Sequence, residues 1–387
     1  MDQAVDRFLK ENLELRAMRD EIPMAQADVE AAGQPPQGYL LIKVGTNGIK
    51  TWHIQPRELI LNRWIQTLVA RAARRVIEAQ YQDAIRTRVD NLYTAFVNVQ
   101  EAQMSVRFAE VALRGVESLL RVAQSLQKAA QVSNVDVAST KTECELGASS
   151  LEEAKTALHK AKLVLANLLN LPDAEVDRLK VRMDLDSPTV RSPAVPPVEE
   201  LIRIALTHRP DLRAYRLGLH RAQLDWLKAL VEPFNQITVR PLPDRMELVG
   251  MRQPGNAPAR SLSMLVSLPT AIRNRGALDR ATINVGQTRT ELAQIERNVI
   301  LEVRQARLEY EQSRATVDRF LKEIIPNART TRDNRYRQWR AGEASITDYV
   351  EFQSKYNDRI FQYVNARIRH QRSMLALNTA VGERIMR

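Results

Sequence analysis

From Arg57 to Leu171 the chain contains no proline, and only Gly115 and Gly147 interrupt the run. Nothing else in the sequence restricts the fold so strongly. Proline ends helices, and β-structure is punctuated by turns every few residues. A stretch this long with neither is helical. Within it Ile85, Val89, Leu92, Phe96, Val99, Val106, Leu113, Val116 and Leu120 recur at threes, fours and sevens, the stripe of a coiled-coil-like helix. The stripe breaks at "KAAQVSNVDVAS", where Ser133 and Asp136 form a capping-box pattern with Asp in the usual place of Glu. The reading is one helix over about 57–130, a turn, and a second helix over about 134–169. At about 1.5 Å per residue the first spans on the order of 110 Å, more than a compact globule needs.

The same plan is written twice. Leu15, Arg16, Ala17, Arg19, Ala25, Gln26 and Asp28 reappear 197 positions later as Leu212, Arg213, Ala214, Arg216, Ala222, Gln223 and Asp225. Ser133 and Asp136 reappear 212 positions later as Ser345 and Asp348. The 15 extra positions fall in the second β-like region. The first repeat covers 1–172: a helix over 2–31 with a possible kink at Pro23, strands near 39–44 and 49–54 around "GTNG", and the two helices above. A proline-rich linker, 173–196, follows. The second repeat covers 197–387: a helix over 197–231, a β-like stretch over 235–268, a helix over 275–340 kinked at Pro326, and a helix over 345–381. Leu292, Ile295, Val299, Val303, Ala306, Tyr310, Val317, Leu321 and Ile324 stripe the long member. Such a period is too long for a solenoid. In each half the two shorter helices sum to the length of the long one. They can stack beside it as antiparallel hairpins, giving four helical columns with every strand at one end. The fold class is mainly α with a small β part.

Composition narrows function mostly by exclusion. Aromatic residues are 5% and the formal charge is +11. The basic residues alternate with acids along helices, without a zinc-finger spacing or an RNP motif, so nucleic acid is not expected as a partner. Five histidines show no metal-ligand spacing. Gly45 and Gly48 sit in a hairpin turn rather than before a helix, so they make no phosphate loop. With no catalytic constellation, metal or cofactor implied, an enzyme is not expected. Cys144 is alone and cannot form an intramolecular disulfide. No apolar run is long enough for a membrane-spanning helix. The opening "MDQAVDRFLKENLEL" has no apolar core and does not read as a secretory signal. It leaves a cytoplasmic protein, or one whose signal stood upstream.

In their order and spacing, "HRPDL" (208–212), "SLPTAIRNRGALDRA" (267–281), "GEASITDYV" (342–350), "MLALNTAVG" (374–382) and "LLNLP" (168–172) resemble the TolC-like outer-membrane efflux family. The resemblance spans both halves. It implies a homotrimer in which the helices form an α-barrel through the periplasm and four strands per protomer complete a β-barrel in outer-membrane lipid. It further implies passive transport of small molecules, as the exit duct of a tripartite system with a periplasmic adaptor protein and an inner-membrane pump. The chain departs from the pattern in its start and in its strands, which are short and carry Lys43 and Lys50. A soluble or periplasmic coiled-coil structural oligomer of the same ancestry, with a degenerate barrel and no transport, is the alternative.

The candidate sites lie at the turns. The resemblance implies adaptor docking at Gln131, Val132, Ser133, Asp136, Gly342, Glu343, Ser345 and Asp348. The residues alone argue for helix caps at the serines and aspartates, worth about 1 kcal/mol each, and for a positive φ at Gly342. Just before the second turn Arg329, Arg332 and Arg340, with Tyr336, share an arc of about 80° on one helix. Turned inward in a trimer they would form a basic ring; turned outward they are a solvated face.

Overall fold

The computed structural model describes residues 2–34, 39–44, 50–55, 60–129, 132–179, 181, 195–232, 237–242, 261–266 and 274–386. Gln131, the turn at 45–48, the linker residues 182–194 and the segment 243–260 lie outside them. The first repeat consists of α1 (Asp2–Glu11), α2 (Leu13–Gly33), β1 (Tyr39–Val44), β2 (Lys50–Gln55), α3 (Ile60–Lys128) and α4 (Asn134–Leu168). A short α5 (Asp173–Val176) follows. The second repeat consists of α6 (Val198–His208), α7 (Pro210–Val231), β3 (Ile237–Leu242), β4 (Ser261–Val266), α8 (Arg275–Arg319), α9 (Ile325–Arg340) and α10 (Ile346–Val381). A π turn, Phe320–Ile324, joins α8 to α9. No described helix is long and apolar enough to cross a membrane.

Three helices expected to be single are divided, each for a local reason. The break in the first helix falls at Asn12 rather than Pro23, which α2 carries in its interior. Asn12 Oδ1 accepts the Leu15 N–H at 3.0 Å, and Asn12 Nδ2 donates to Leu168 O at 3.3 Å. An asparagine offers the backbone this side-chain alternative to the helical ladder. In the second repeat the break falls at Arg209, whose ψ of 124° is extended. Pro210 follows it, and proline pushes the preceding residue out of the helical region while suiting the first helical position itself. At the third break Pro326 cannot donate to the carbonyl four residues back, and its ring crowds it. The chain answers with the π turn, in which the Ile325 N–H bonds Phe320 O.

The joints are equivalent between repeats. Arg209 stands 197 positions after Asn12, and Ala380 stands 212 after Leu168. Asn12 reaches Leu168 O; Arg209 Nη1 reaches Ala380 O at 3.0 Å and Glu302 Oε2 at 2.6 Å. The Arg209 side chain is only 5% exposed, so its charge depends on these acceptors. The returning helices end alike too. Asn170, after α4, has φ +50°, and Gly382, after α10, has φ +76°. At the first, Leu171 N–H bonds Ala166 O at 2.9 Å, closing a Schellman motif; at the second, Gly382 N–H bonds Asn378 O at 2.9 Å.

By compactness the chain divides into two units that cut across the repeats: 1–16, 84–209 and 298–387 in one, 17–83 and 210–297 in the other. In the first unit the helices lie in the order α4, α3, α10, α8. Gly147 of α4 packs against Leu113 of α3. On its other side α3 meets α10, where Val97 packs with Val364 and Ile368 and the Phe108 and Phe361 rings stand 5.5 Å apart. Across α10, Arg369 grips Glu309 of α8 with contacts of 2.7 and 3.2 Å. A buried polar knot sits beside that grip. Ser313 Oγ lies 3.0 Å from His370 Nδ1 and 2.8 Å from Ser373 Oγ, and the Tyr310 ring lies 5.2 Å from the imidazole. Desolvation and the nearby Arg314 charge hold the His370 pKa below the usual imidazole value; Asp318 opposes them.

In the second unit α2 packs on α3 and α7 on α8. Buried alanines at 25, 72, 79, 222 and 229 keep the contacts thin, since small side chains let helix axes approach. Arg74 donates to Gln26 at 2.7 Å, and Trp226 Nε1 donates to Thr282 Oγ1 at 3.2 Å. The strands form two antiparallel pairs, with Ile42 opposite Trp52 and Val239 opposite Met264.

Candidate functional site

Each helical hairpin turns through a serine. Ser133 precedes α4 with φ −75°, ψ 158°, and Ser345 precedes α10 with φ −72°, ψ 157°. These extended torsions aim the hydroxyl back at the first turn. Ser133 Oγ accepts the Asp136 N–H at 3.1 Å while Asp136 Oδ2 accepts the Ser133 N–H at 3.3 Å. Ser345 and Asp348 repeat the exchange at 3.0 and 3.3 Å. Two otherwise unpaired amides are thereby satisfied at each turn, and the shorter aspartate replaces the usual glutamate without losing either bond. Before the second turn, α9 closes in a Schellman motif: Glu343 N–H bonds Gln338 O at 2.9 Å, Gly342 N–H bonds Trp339 O at 3.0 Å, and Gly342 takes φ +77°. Only glycine holds that torsion without strain.

The two turns are brought together by apolar contact. Val132 and Val137 of the first hairpin and Trp339 of the second pack with Leu119 and Leu126 against Ala123 and Val350. Val132 therefore serves this cluster. Glu343 is exposed. Gln131 lies outside the described residues.

The arginines divide. Arg332 folds toward α10, its guanidinium 4.3 Å from the Tyr356 ring centre and its Nε 2.8 Å from Asp333 Oδ1. Arg335 does likewise over Phe352 at 4.8 Å. Cations over ring faces gain most when partly desolvated, and the Arg332 side chain is 24% exposed. Arg329 and Arg340 point to solvent, as does Arg337. Between the hairpin arms Trp339 stacks on Tyr349 with centroids 5.6 Å apart and planes 8° apart, and Tyr336 leans on both. Burial pushes the Tyr349 pKa up, Tyr336 and Asp333 add to the rise, and Arg332 opposes it. The hydroxyl stays protonated at neutral pH.

Sequence reasoning grouped Arg332 with Arg329 and Arg340 because helical spacing places them on one arc. It could not see which side of that arc α10 covers. The missed partners do carry a signal: Tyr349, Phe352 and Tyr356 fall at i, i+3 and i+7 on α10, the spacing of one helix face. Arg209 entered the sequence reading only as a letter of "HRPDL", and nothing there marked its place at the joint or that of Asn12.

No protein-family model matches the chain, and no curated protein is detectably similar to it. Solved structures are. The outer-membrane protein VceC of Vibrio cholerae superposes with a TM-score of 0.79 at 14% identity, covering 99% of this chain and 96% of that one. A membrane protein of Pseudomonas aeruginosa does so with 0.79 at 17%, covering 98% and 93%. The MtrE outer-membrane channel of Neisseria gonorrhoeae, in its open state, gives 0.74 at 16%, covering 99% and 89%. Agreement over nearly the whole length at so little identity is agreement of backbone: this chain has the TolC-like fold of bacterial outer-membrane channels.

Proposed function

We propose that this protein is the outer-membrane exit duct of a tripartite efflux or secretion system, a homotrimer through which small molecules pass with no bond made or broken. The observation that carries the reading is the superposition on outer-membrane channels over 98–99% of this chain. The helix row supports it. Its outer members, α4 and α8, carry large apolar side chains on view: Val135, Leu146, Leu163 and Val164 on one, Leu301 and Leu308 on the other. Apolar stripes on both edges favour edge-to-edge association, and such a head-to-tail contact closes into a ring. Four strands cannot close around a pore, and open edges are forbidden in lipid. Three copies supply a twelve-stranded barrel, with the helices below it in the periplasm. A periplasmic adaptor and an inner-membrane pump would meet the hairpin ends.

The test is to express the chain behind an outer-membrane export leader, fractionate the cells, and record conductance in planar bilayers. A heat-modifiable trimer in the outer membrane with discrete pore openings is expected. A soluble species that never conducts would overturn the duct and leave the alternative, a structural oligomer with the same helices.

A further inference from the structure

We propose that the groove between α7 and α8 is a binding site for a small aromatic carboxylate. It is a feature of the second repeat, and it stands apart from the duct reading.

The groove has a volume of about 450 Å³. Gln223 and Trp226 of α7 line one side, and Thr282, Val285, Gly286 and Arg289 of α8 line the other. The first repeat fills the same place with a side chain of its own. Offsets of 197 on the shorter helix and 212 on the longer carry Gln26 to Gln223, Val29 to Trp226, Arg74 to Gly286 and Ile77 to Arg289. Arg74 lies between α2 and α3, its Nη1 donating to Gln26 Oε1 at 2.7 Å and its Nε standing 2.9 Å from Glu78 Oε1. Gly286 has no side chain to do this, and a Cβ there would meet no atom within 4 Å. Glycine is a poor helix former, and Gly286 stands in the interior of α8, so the helix itself gains nothing from it. The counterpart of Glu78 is Thr290.

The lining selects a ligand by chemistry. Trp226 Nε1 already donates to Thr282 Oγ1 at 3.2 Å. What the indole still offers is its ring, a platform for another flat ring. Gln223 and Arg289 are exposed, and among the described residues their side chains have no hydrogen bond or ion pair. Asp225, beside Trp226, pairs with Arg221 at 3.8 Å. The first repeat balances Arg74 with Glu78, whereas the lining of the second has a cation and no acid. A guanidinium takes a carboxylate through two parallel hydrogen bonds, and the Gln223 amide can donate a further one. A flat apolar body over Gly286, against Trp226 and Val285, with its anionic end at Arg289, is an aromatic carboxylate. A few convergent polar groups around an apolar floor are the usual make-up of a small-molecule site.

The groove is distinct from the edge of α8 assigned above to a neighbouring copy. Exposed Ile283 stands 18 positions before Leu301, about five turns, and so continues that edge. Thr282, Val285 and Arg289 lie about 100° to 160° around the helix from it. A copy seated on the edge leaves the groove open.

The experiment is isothermal titration of the full-length protein in detergent with naphthoate, and with naphthylmethylamine as a cation of similar shape. The wild type should bind the carboxylate at least tenfold more tightly than the amine. R289Q should weaken naphthoate about five- to tenfold and erase the preference over the amine. G286L, which fills the floor without adding charge, should bind neither, while melting no lower than wild type. Arg289 is exposed, so its variant keeps the test valid even if G286L folds poorly. A wild type that binds no naphthoate, or two variants that bind it as the wild type does, would overturn the site. An amine bound as tightly as the carboxylate would overturn the anionic ligand. A change of oligomeric state in G286L, read by sedimentation velocity, would give the groove to a second copy of the chain and overturn the proposal too. Binding is read whether or not the protein conducts, so failure of the duct reading and failure of this site are separate results.

Discussion

Two demands coincide at Gly382. Its φ of +76° is left-handed, and a Cβ there would stand 2.9 Å from Arg209 Cγ. Alanine must therefore strain the backbone and displace a buried arginine, and Gly382→Ala should cost on the order of 2 kcal/mol. Gly115 is the control. It lies inside α3 with nothing near its missing Cβ, so Gly115→Ala should gain up to about 1 kcal/mol. Thermal melts by circular dichroism should move in opposite directions; a fall with both substitutions would contradict this account of Gly382. Residues whose roles are local were legible beforehand. Ser133 and Asp136 announce a cap by spacing alone, and Gly342 announces a turn. Arg209 was not legible, because its acceptors, Glu302 and the Ala380 carbonyl, are distant in sequence.

Between elements, the contact of α8 with α10 carries a titratable group. His370 is buried and its pKa is depressed, mainly by desolvation and then by Arg314. The folded protein refuses a proton that the unfolded chain accepts. Stability is therefore complete above the ordinary imidazole pKa of 6.5, falls as pH drops from 6.5 toward the lowered value, and is not regained below it. The wild type should lose melting temperature on acidification to a greater extent than His370→Gln, which keeps a hydrogen-bonding side chain toward Ser313 but cannot be protonated. Equal losses in the two proteins would show that the proton is taken up elsewhere. The stripe through Tyr310 and Val317 was readable as the buried face of α8, since apolar residues at helical spacing have few other uses. The knot of Ser313, His370 and Ser373 was not, because Ser313 lies 57 and 60 positions from its two partners. Divisions within helices were equally opaque: Pro23 looked like the breaker and was absorbed, while Asn12 broke the helix through its side chain.

At the scale of the whole molecule, the unexplained apolar surface decides what the chain needs. Leu301 and Leu308, a heptad apart on α8, are 54% and 66% exposed. Leu301→Glu/Leu308→Glu should leave the helix content of the protomer intact and prevent assembly, read as a shift from trimer to monomer in sedimentation velocity. A variant that still assembles would remove α8 from the interface. The sequence revealed the doubled plan and the length of its helices, because proline, caps and stripes are local marks. It could not show which stripes a chain covers by itself and which it leaves for a neighbour. Asn170 and Gly382 carry that limit further. The two positions stand 212 apart and carry different amino acids, yet both bend the backbone left-handed. A returning helix can therefore be stopped in the same way by either residue, because the torsion and not the side chain ends it.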